Sequence, residues 1–426
     1  MQTRKRWYGP DSFASWRLDR LGRNCSTELD VVLLTHPRDE RDMSTLYPFT
    51  EDLSVPDIRR FAQALEPVCG EVIETPDLTV GLMFLARFGD EIMDPRSRGA
   101  IRQFLMGPGL EAVSATGARV VCLGGLLGSL SGYGKRLGPF AQAHDLTVTT
   151  GHSMTSVTVL QTYRRAIASL ELDPSRGRMV ILGAGSVGAA FGRLMAREEV
   201  RPAELVLVDK PERSRRVEEL ADELAESGLA TRVDLTDRDG QLPSDSLCYD
   251  AQFLISAVST PNVIDIERVA PQTVLVDDSQ PNCWSREQAW RRVNRSADIA
   301  PCEAGLVDAA SINYWAYFPF RFASSYEGSV GTSVTWCCLA EGLAMGHDPS
   351  LPPTLGEPDV AALAQYLGAF EQLGFRVAPL QCGSHFLPLE RLRAGFAGSF
   401  AGLRPVAPVD MRPARRPSAR QAALLA

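Results

Sequence analysis

The sequence predicts an α/β fold, a Rossmann dinucleotide-binding domain beside a separate α/β substrate domain, and three observations lead to it. The first is the run Met179-Val-Ile-Leu-Gly-Ala-Gly-Ser-Val-Gly-Ala-Ala-Phe-Gly192. Met179 to Leu182 reads as a buried strand, Gly183, Gly185 and Gly188 follow as G-x-G-x-x-G, and Ala189 to Met195 reads as a helix. In such a turn the first glycine permits the tight reversal, the second lets a pyrophosphate approach the backbone, and the third lets helix and strand pack closely. The helix N-terminus adds free N–H groups and a positive dipole end for phosphates. The second observation is the alternation that follows. Apolar strands at Glu204–Val208, Phe253–Ser256 and Thr273–Val276 are separated by helical stretches, notably Arg213 to Ser227. This spacing implies a parallel sheet with right-handed crossovers. The third is a similar alternation upstream, where Asp30-Val-Val-Leu-Leu-Thr-His36, Ala118–Gly124 and Leu146–Thr150 read as strands. The prediction is a Rossmann dinucleotide-binding domain plus a separate α/β substrate domain completed by C-terminal helices.

The elements divide the chain in order. Residues 1–28 are mixed and basic and read as an N-terminal extension. Residues 29–172 form the substrate domain. Within it, Ile58 to Leu65 is amphipathic, a glycine-rich loop follows Gly124, and Gly151-His-Ser-Met-Thr155 leads into a helix ending near Leu170. Residues 173–310 form the dinucleotide-binding domain. Residues 311–387 are C-terminal helices that pack on the substrate domain: Ser333 to Met345, with Gly346 as its stop, and Val360 to Leu373, stopped by Gly374. Residues 388–426, rich in Arg, Ala and Pro, have little to bury and read as a disordered tail.

Composition narrows the class. With 45% apolar and 23% charged residues this is an ordinary globular chain, and a net charge of −8 argues against a nucleic-acid binder. Met1-Gln-Thr-Arg-Lys-Arg-Trp7 lacks the apolar core of a signal peptide, and no run reaches the roughly 18 apolar residues of a membrane span. A cytoplasmic location is the expectation, without integral membrane association. The 9 cysteines show no C-x-x-C pair and are expected as reduced thiols. The histidines and carboxylates lack metal-ligand spacing, so no metal is expected. Oligomeric state is not readable.

Candidate cofactor residues are Gly183, Gly185, Ser186, Val187 and Gly188 in the loop. Asp209, at the end of the next strand, is placed to bond adenosine ribose hydroxyls and favours NAD. Lys210 and Arg213 follow it and can hold a 2′-phosphate, which favours NADP; basic residues at a helix start otherwise oppose the macrodipole. Ser256, Ala257 and Val258 end a strand with small side chains suited to a cofactor edge. Val274-Leu-Val-Asp-Asp-Ser-Gln-Pro281 ends the next on the same side of the sheet. In Trp336-Cys-Cys-Leu-Ala-Glu341 both cysteines read as fillers of an apolar helix on residue type alone. Neighbouring helix positions point about 100° apart, so at most one of the two is expected to face a given cleft, where it could accept an acyl group.

Several segments occur in an order that resembles the long-chain fatty acyl–acyl carrier protein reductases and their bacterial relatives. They are His36-Pro-Arg-Asp39, Leu123-Gly-Gly125, Thr149-Thr-Gly-His-Ser-Met-Thr155, Gly183-Ala-Gly-Ser-Val-Gly188, Val274-Leu-Val-Asp277 with Pro281, Glu303-Ala-Gly-Leu306, Cys338-Leu-Ala-Glu341 and Gly374-Phe375. The resemblance covers about 30–380. It implies NADPH-dependent reduction of an acyl thioester, on acyl-carrier protein or coenzyme A, to an aldehyde through an acyl-cysteine, with NADH as a possible substitute. Cys338 occupies the nucleophile's position, and Cys337 does not. The family usually has Asn where this chain has His152, which reads either as an acid or base near pH 7 or as a satisfied structural histidine. Ser153, Thr155 and the backbone N–H groups of Gly124-Gly125 are candidate oxyanion donors. Lys135-Arg136 is a candidate patch for an acidic carrier, or a solvated loop. Two other readings stand beside this one: a shikimate-dehydrogenase-like NAD(P)-dependent dehydrogenase with no covalent intermediate, and a non-catalytic nucleotide-binding regulatory protein.

Overall fold

The computed structural model describes residues 5–7, 28–316, 333–383 and 385–397. Its first sheet is built from β1 (Lys5–Trp7), β2 (Val31–Thr35), β3 (Val68–Glu74), β4 (Thr79–Phe84), β5 (Val120–Leu123) and β6 (Thr147–Thr149), in the order β1-β3-β4-β2-β5-β6. Strands β4, β2, β5 and β6 are parallel, and β3 and β1 extend the sheet antiparallel. Central β2, Val-Val-Leu-Leu-Thr, is buried at every position, which is why it reads as a continuous apolar run rather than an alternation.

The second sheet holds β7 (Arg178–Leu182), β8 (Glu204–Asp209), β9 (Thr231–Leu235), β10 (Phe253–Ser256), β11 (Thr273–Asp277) and β12 (Ile299–Glu303). All pairs are parallel and the order is β12-β11-β10-β7-β8-β9. This is the Rossmann order, with its switch point between β7 and β10. The predicted fold class is therefore found. Two strands of this sheet escaped the sequence reading, and both lie at its edges. β9 (Thr-Arg-Val-Asp-Leu) is only partly covered, and β12 contains Pro301, which an edge tolerates and a central strand does not.

Three expectations need correction. The N-terminal extension contributes β1 to the first sheet; residues 8–27 lie outside the described residues. The tail does not begin at 388: Leu389–Phe396 is a helix with Leu392 and Phe396 buried, and Arg391 Nη2 donates to Asn294 O at 2.7 Å. Residues 398–426 lie outside the described residues. Ser333 to Met345 is not one helix. Val334–Trp336 is strand β14, paired with β13 (Leu306–Asp308) in a small sheet that also takes β15 (Arg376–Val377), and the helix spans Cys337–His347. The adjacent β-branched residues Val334 and Thr335 pair with Asp308 and Val307, a strand partner outside their local sequence.

Helix His152–Leu170 runs between the two halves. It packs on helices Cys337–His347, Val360–Gln372 and Ser186–Met195. A short strap, Thr354–Glu357, ties the halves together. Thr354 N donates to Thr149 Oγ1 at 2.9 Å, Gly356 N to Tyr133 O at 2.7 Å, and Ser186 Oγ to Gly356 O at 2.9 Å. Glu357 closes the strap by pairing with Arg193 and Arg216 of the dinucleotide domain. Among the described residues no helix is long and apolar enough to cross a membrane.

Candidate active site

The carboxyl ends of both sheets face one cleft of about 1460 Å³, the position where ligands of open α/β sheets bind. On the dinucleotide side, Gly183 has φ +93° and a Cβ on Gly188 would lie 2.0 Å from Gly183 O. Only glycine fits there, because helix Ser186–Met195 presses onto the turn. Gly185, Ser186 and Val187 line the cleft, whereas Gly188 serves packing. Ser186 Oγ is bonded within the protein, to Gly356 O and to His152 Nδ1 at 2.9 Å.

Asp209 is buried at the end of β8. Its Oδ1 accepts from Lys210 N at 2.8 Å, while Oδ2 is buried without a hydrogen-bond partner among the described residues. Arg213 Nη1 lies 3.6 Å from that oxygen with its side chain half-exposed to the cleft. An orphaned acceptor beside a guanidinium, next to a loop that a Cβ would fill, fits the ribose end of a dinucleotide. Ala257 and Val258 line the cleft as expected. Ser256 does not: it is fully buried and donates to Asp277 Oδ1 at 2.7 Å. Asp277 also accepts from Ser279 N and Cys283 N, at 3.0 and 3.1 Å, so its carboxylate shapes the loop after β11.

Cys338 sits in the first turn of helix Cys337–His347 and lines the cleft half-buried. It reaches the cleft because residue 151 has no side chain. Gly151 has φ +75°, and a Cβ there would stand 2.3 Å from Cys338 Cα. Glu341, one turn further along, is fully buried and accepts from Thr149 Oγ1 and from Met154 N (2.9 Å), which locks the cysteine helix to the 149–154 loop. Burial pushes the Cys338 thiol up to about 12, opposed by the N–H groups of Leu339 and Cys338 itself. These N–H groups at a helix N-terminus also suit a developing oxyanion.

Both cysteines border the cleft, so the expectation that at most one could face it is corrected: Cys337 lines it too, but is the more deeply buried of the two. Its Sγ lies 3.0 Å from Thr155 Oγ1, whose proton is directed to Gly151 O at 2.8 Å. The Thr155 hydroxyl is therefore engaged, although it lines the cleft. Ser153 is buried, bonded to Thr354 Oγ1 at 2.7 Å, and is not part of the cleft lining. Neither hydroxyl is available as the expected oxyanion donor. The Gly124 N–H donates to Leu34 O at 2.9 Å, which leaves Gly125 of that pair. Burial holds His152 down to about 4, so its imidazole is neutral near pH 7. It lines the cleft, bonded to Ser186 and packed edge-on against Tyr133, and so links the two halves by these contacts.

Sequence reasoning missed Asp278. It lines the cleft half-buried, immediately after the hydrogen-bonded Asp277. Its Oδ1 and the Cys337 sulfur both approach Gly305, whose carbonyl accepts from Cys337 N at 2.9 Å. Burial first, then repulsion from Asp277, hold its carboxyl well above the usual range. Its charge is felt by both cysteines. The only sequence signal was its place at the end of a strand beside another acid. Among the described residues no group of three or more His, Cys, Asp or Glu is placed to hold a metal.

No family model and no curated protein matches the chain. Among solved structures it is similar to L-tryptophan dehydrogenase from Nostoc punctiforme, at 9% identity over 90% of each chain with a TM-score of 0.36. It is also similar to quinate dehydrogenase from Corynebacterium glutamicum in complex with NAD, at 13% identity over 88% of this chain and 100% of that one, TM-score 0.28. Glucose dehydrogenase from Haloferax mediterranei, in complex with NADP, Zn and gluconolactone, matches at 18% identity and a TM-score of 0.28, over 35% of this chain and 43% of its own. These are likenesses, and the fold rests on the strand order of the chain itself.

Proposed function

We propose that this chain is a nicotinamide-dependent oxidoreductase that reduces an acyl thioester to an aldehyde through an acyl group carried on Cys338. One observation carries the reading: Cys338 sits in the first turn of a helix in the same cleft as the Gly183–Gly188 loop, brought there by Gly151. The ordered resemblance to the acyl–acyl carrier protein reductases supports it. Gly183, Gly185, Val187, Asp209 and Arg213 would hold the dinucleotide. Arg213 suits NADPH, and the Asp209 carboxylate, placed to bond ribose hydroxyls, lets NADH serve as well. The exposed Lys135-Arg136 pair suits an acidic carrier.

The Cys338 thiol is protonated at rest, so its attack on the thioester carbonyl needs a base, and Asp278 is the carboxylate at hand. Sulfur–carbon bond formation at Cys338 breaks the carrier's carbon–sulfur bond. Asp278 passes the thiol proton to the departing carrier thiolate. The N–H groups of the first helical turn stabilise the oxyanion. A bound reduced nicotinamide supplies the hydride that the acyl carbon needs. Cleavage of the Cys338–carbon bond then frees the aldehyde, and the sulfur regains a proton from water through Asp278.

Intact mass tests this on wild type and Cys338→Ala incubated with acyl-CoA and acyl-carrier thioesters in the absence of nicotinamide. An adduct on wild type alone, discharged by NADPH, is the expected result. No adduct from any thioester, with dinucleotide binding intact, would remove the acyl-cysteine and leave a plain dehydrogenase or a regulatory nucleotide binder.

A further inference from the structure

Along the carboxyl edge of the second sheet the order runs from Asp209 on β8, through the β7 loop, to Asp278 beyond β11 and Glu303 on β12. The far end from Asp209 carries a polar wall with no part in the chemistry above. Gln381 belongs to it. Its backbone is held in a hairpin with Phe386, and its side chain is 2% exposed against the cleft. Gln381 Oε1 is buried with no hydrogen-bond partner among the described residues. Desolvating a carbonyl oxygen without a partner is unfavourable, and such an atom in a cleft wall calls for a donor that arrives with a ligand. Beside it, Glu303 pairs with Arg286, and both line the same cleft. Burial pushes the Glu303 carboxyl up to about 7, with Arg286, Gly383 N–H and Arg38 acting against it and Asp277 with it.

We propose that Gln381, flanked by the Arg286–Glu303 pair, forms a polar subsite that binds an uncharged hydrogen-bond donor, a hydroxyl or an amide N–H, on the thioester substrate. The inference rests on the thioester reading and adds the substrate class to it. The amide is uncharged and the adjacent guanidinium is already matched by a carboxylate, so a neutral group fits better than an ion. A site built to hydrogen-bond a polar group strongly rejects an analogue that lacks it, because its own polar atoms are then left unpaired. Plain alkyl thioesters are thus the disfavoured substrates. The group can come from the acyl chain, as a hydroxyl or amide near the carbonyl, or from the amides of a pantetheine carrier arm.

The test follows acylation of Cys338 by intact mass, without nicotinamide, in full-length wild type, Gln381→Leu and Gln381→Asn. Four thioesters are used: butyryl and 3-hydroxybutyryl groups, each on coenzyme A and on ethanethiol. If the acyl chain supplies the group, the hydroxylated pair reacts about tenfold faster or more on either thiol. If the carrier arm supplies it, both coenzyme A esters lead. In either case Gln381→Leu removes the preference and Gln381→Asn, with a shorter reach, weakens it. Wild-type rates with all four esters in both variants would overturn the proposal. So would a loss confined to NADPH binding measured without thioester, which would assign Gln381 to the nicotinamide. No adduct on wild type from any ester, with dinucleotide binding intact, is a different result: it overturns the acyl-cysteine reading and takes the subsite with it.

Discussion

Gly151→Ala is the sharpest test of how the fold presents its cysteine. The perturbation is one methyl group. At φ +75° an alanine is in the left-handed region, which costs about 1–2 kcal/mol. The new Cβ would stand 2.3 Å from Cys338 Cα and 2.6 Å from its Cβ, against an optimal carbon–carbon separation of about 3.5–4.0 Å. Neither group is a flexible side-chain end, so the cysteine helix must retreat by more than 1 Å. Overpacking of this kind costs about 1–3 kcal/mol, for a total of about 2–5 kcal/mol. Against a typical stability of about 5–15 kcal/mol the variant still folds, with Cys338 displaced. Urea unfolding reads the loss of stability, and intact mass reads the loss of thioester acylation. Gly99→Ala is the control: Gly99 lies inside helix Pro95–Phe104 with nothing within 4 Å of its added Cβ, and a gain of about 0.5–1 kcal/mol is expected. If Gly151→Ala unfolds like wild type and still acylates at the wild-type rate, the close-approach argument is wrong.

Other expectations follow from the same geometry. Asp278→Asn should slow Cys338 acylation by about 10²–10⁴-fold. The wild-type rate should climb with pH through the raised Asp278 titration, since the ionised carboxylate is the base, and that limb should vanish in the variant; an unchanged pH–rate profile would exclude Asp278. Arg213→Ala should weaken NADPH binding by about 10-fold or more while NADH changes little, and equal losses by fluorescence titration would place the guanidinium away from a 2′-phosphate. Glu303 titrates near 7 in the folded chain against about 4.5 unfolded, so the folded state holds the extra proton between those values. Its contribution therefore makes stability fall as pH rises from about 4.5 to 7 and level off above, by at most about 3 kcal/mol; Glu303→Gln should flatten that slope in denaturant titrations across the window. Glu357→Gln breaks the buttress on Arg193 and Arg216 and should lower the melting temperature with Cys338 acylation kept. Loss of both together would show that the strap also shapes the site.

Much of the architecture was legible because it is written in local patterns. Four apolar residues before Gly183, a glycine at each required position and an apolar helix after them are statements about neighbours in sequence, and the Rossmann turn follows from them. Cys338 was singled out by its segment, but its position at the head of a helix was not, because Val334–Trp336 finds its strand partner in Leu306–Asp308. Orientation was equally out of reach. Ser153, Thr155 and Ser256 are the right residue types for a site, and each hydroxyl instead serves a partner supplied by the fold: Thr354, Gly151 O and Asp277. The sequence by itself determined that a parallel dinucleotide-binding sheet follows a separate α/β domain and where the dinucleotide turn lies, and the resemblance of its segments singled out Cys338 as the candidate nucleophile. Only the tertiary structure decided that Gly151 admits Cys338 to the cleft, that Asp278 lines the same cleft and meets Cys337 at Gly305, that His152 stays neutral, and that Gln381 comes to rest beside Glu303. Periodicity and glycine spacing act over a few residues, whereas burial, charge and hydrogen-bond partnership depend on which distant segments the packed core brings into contact.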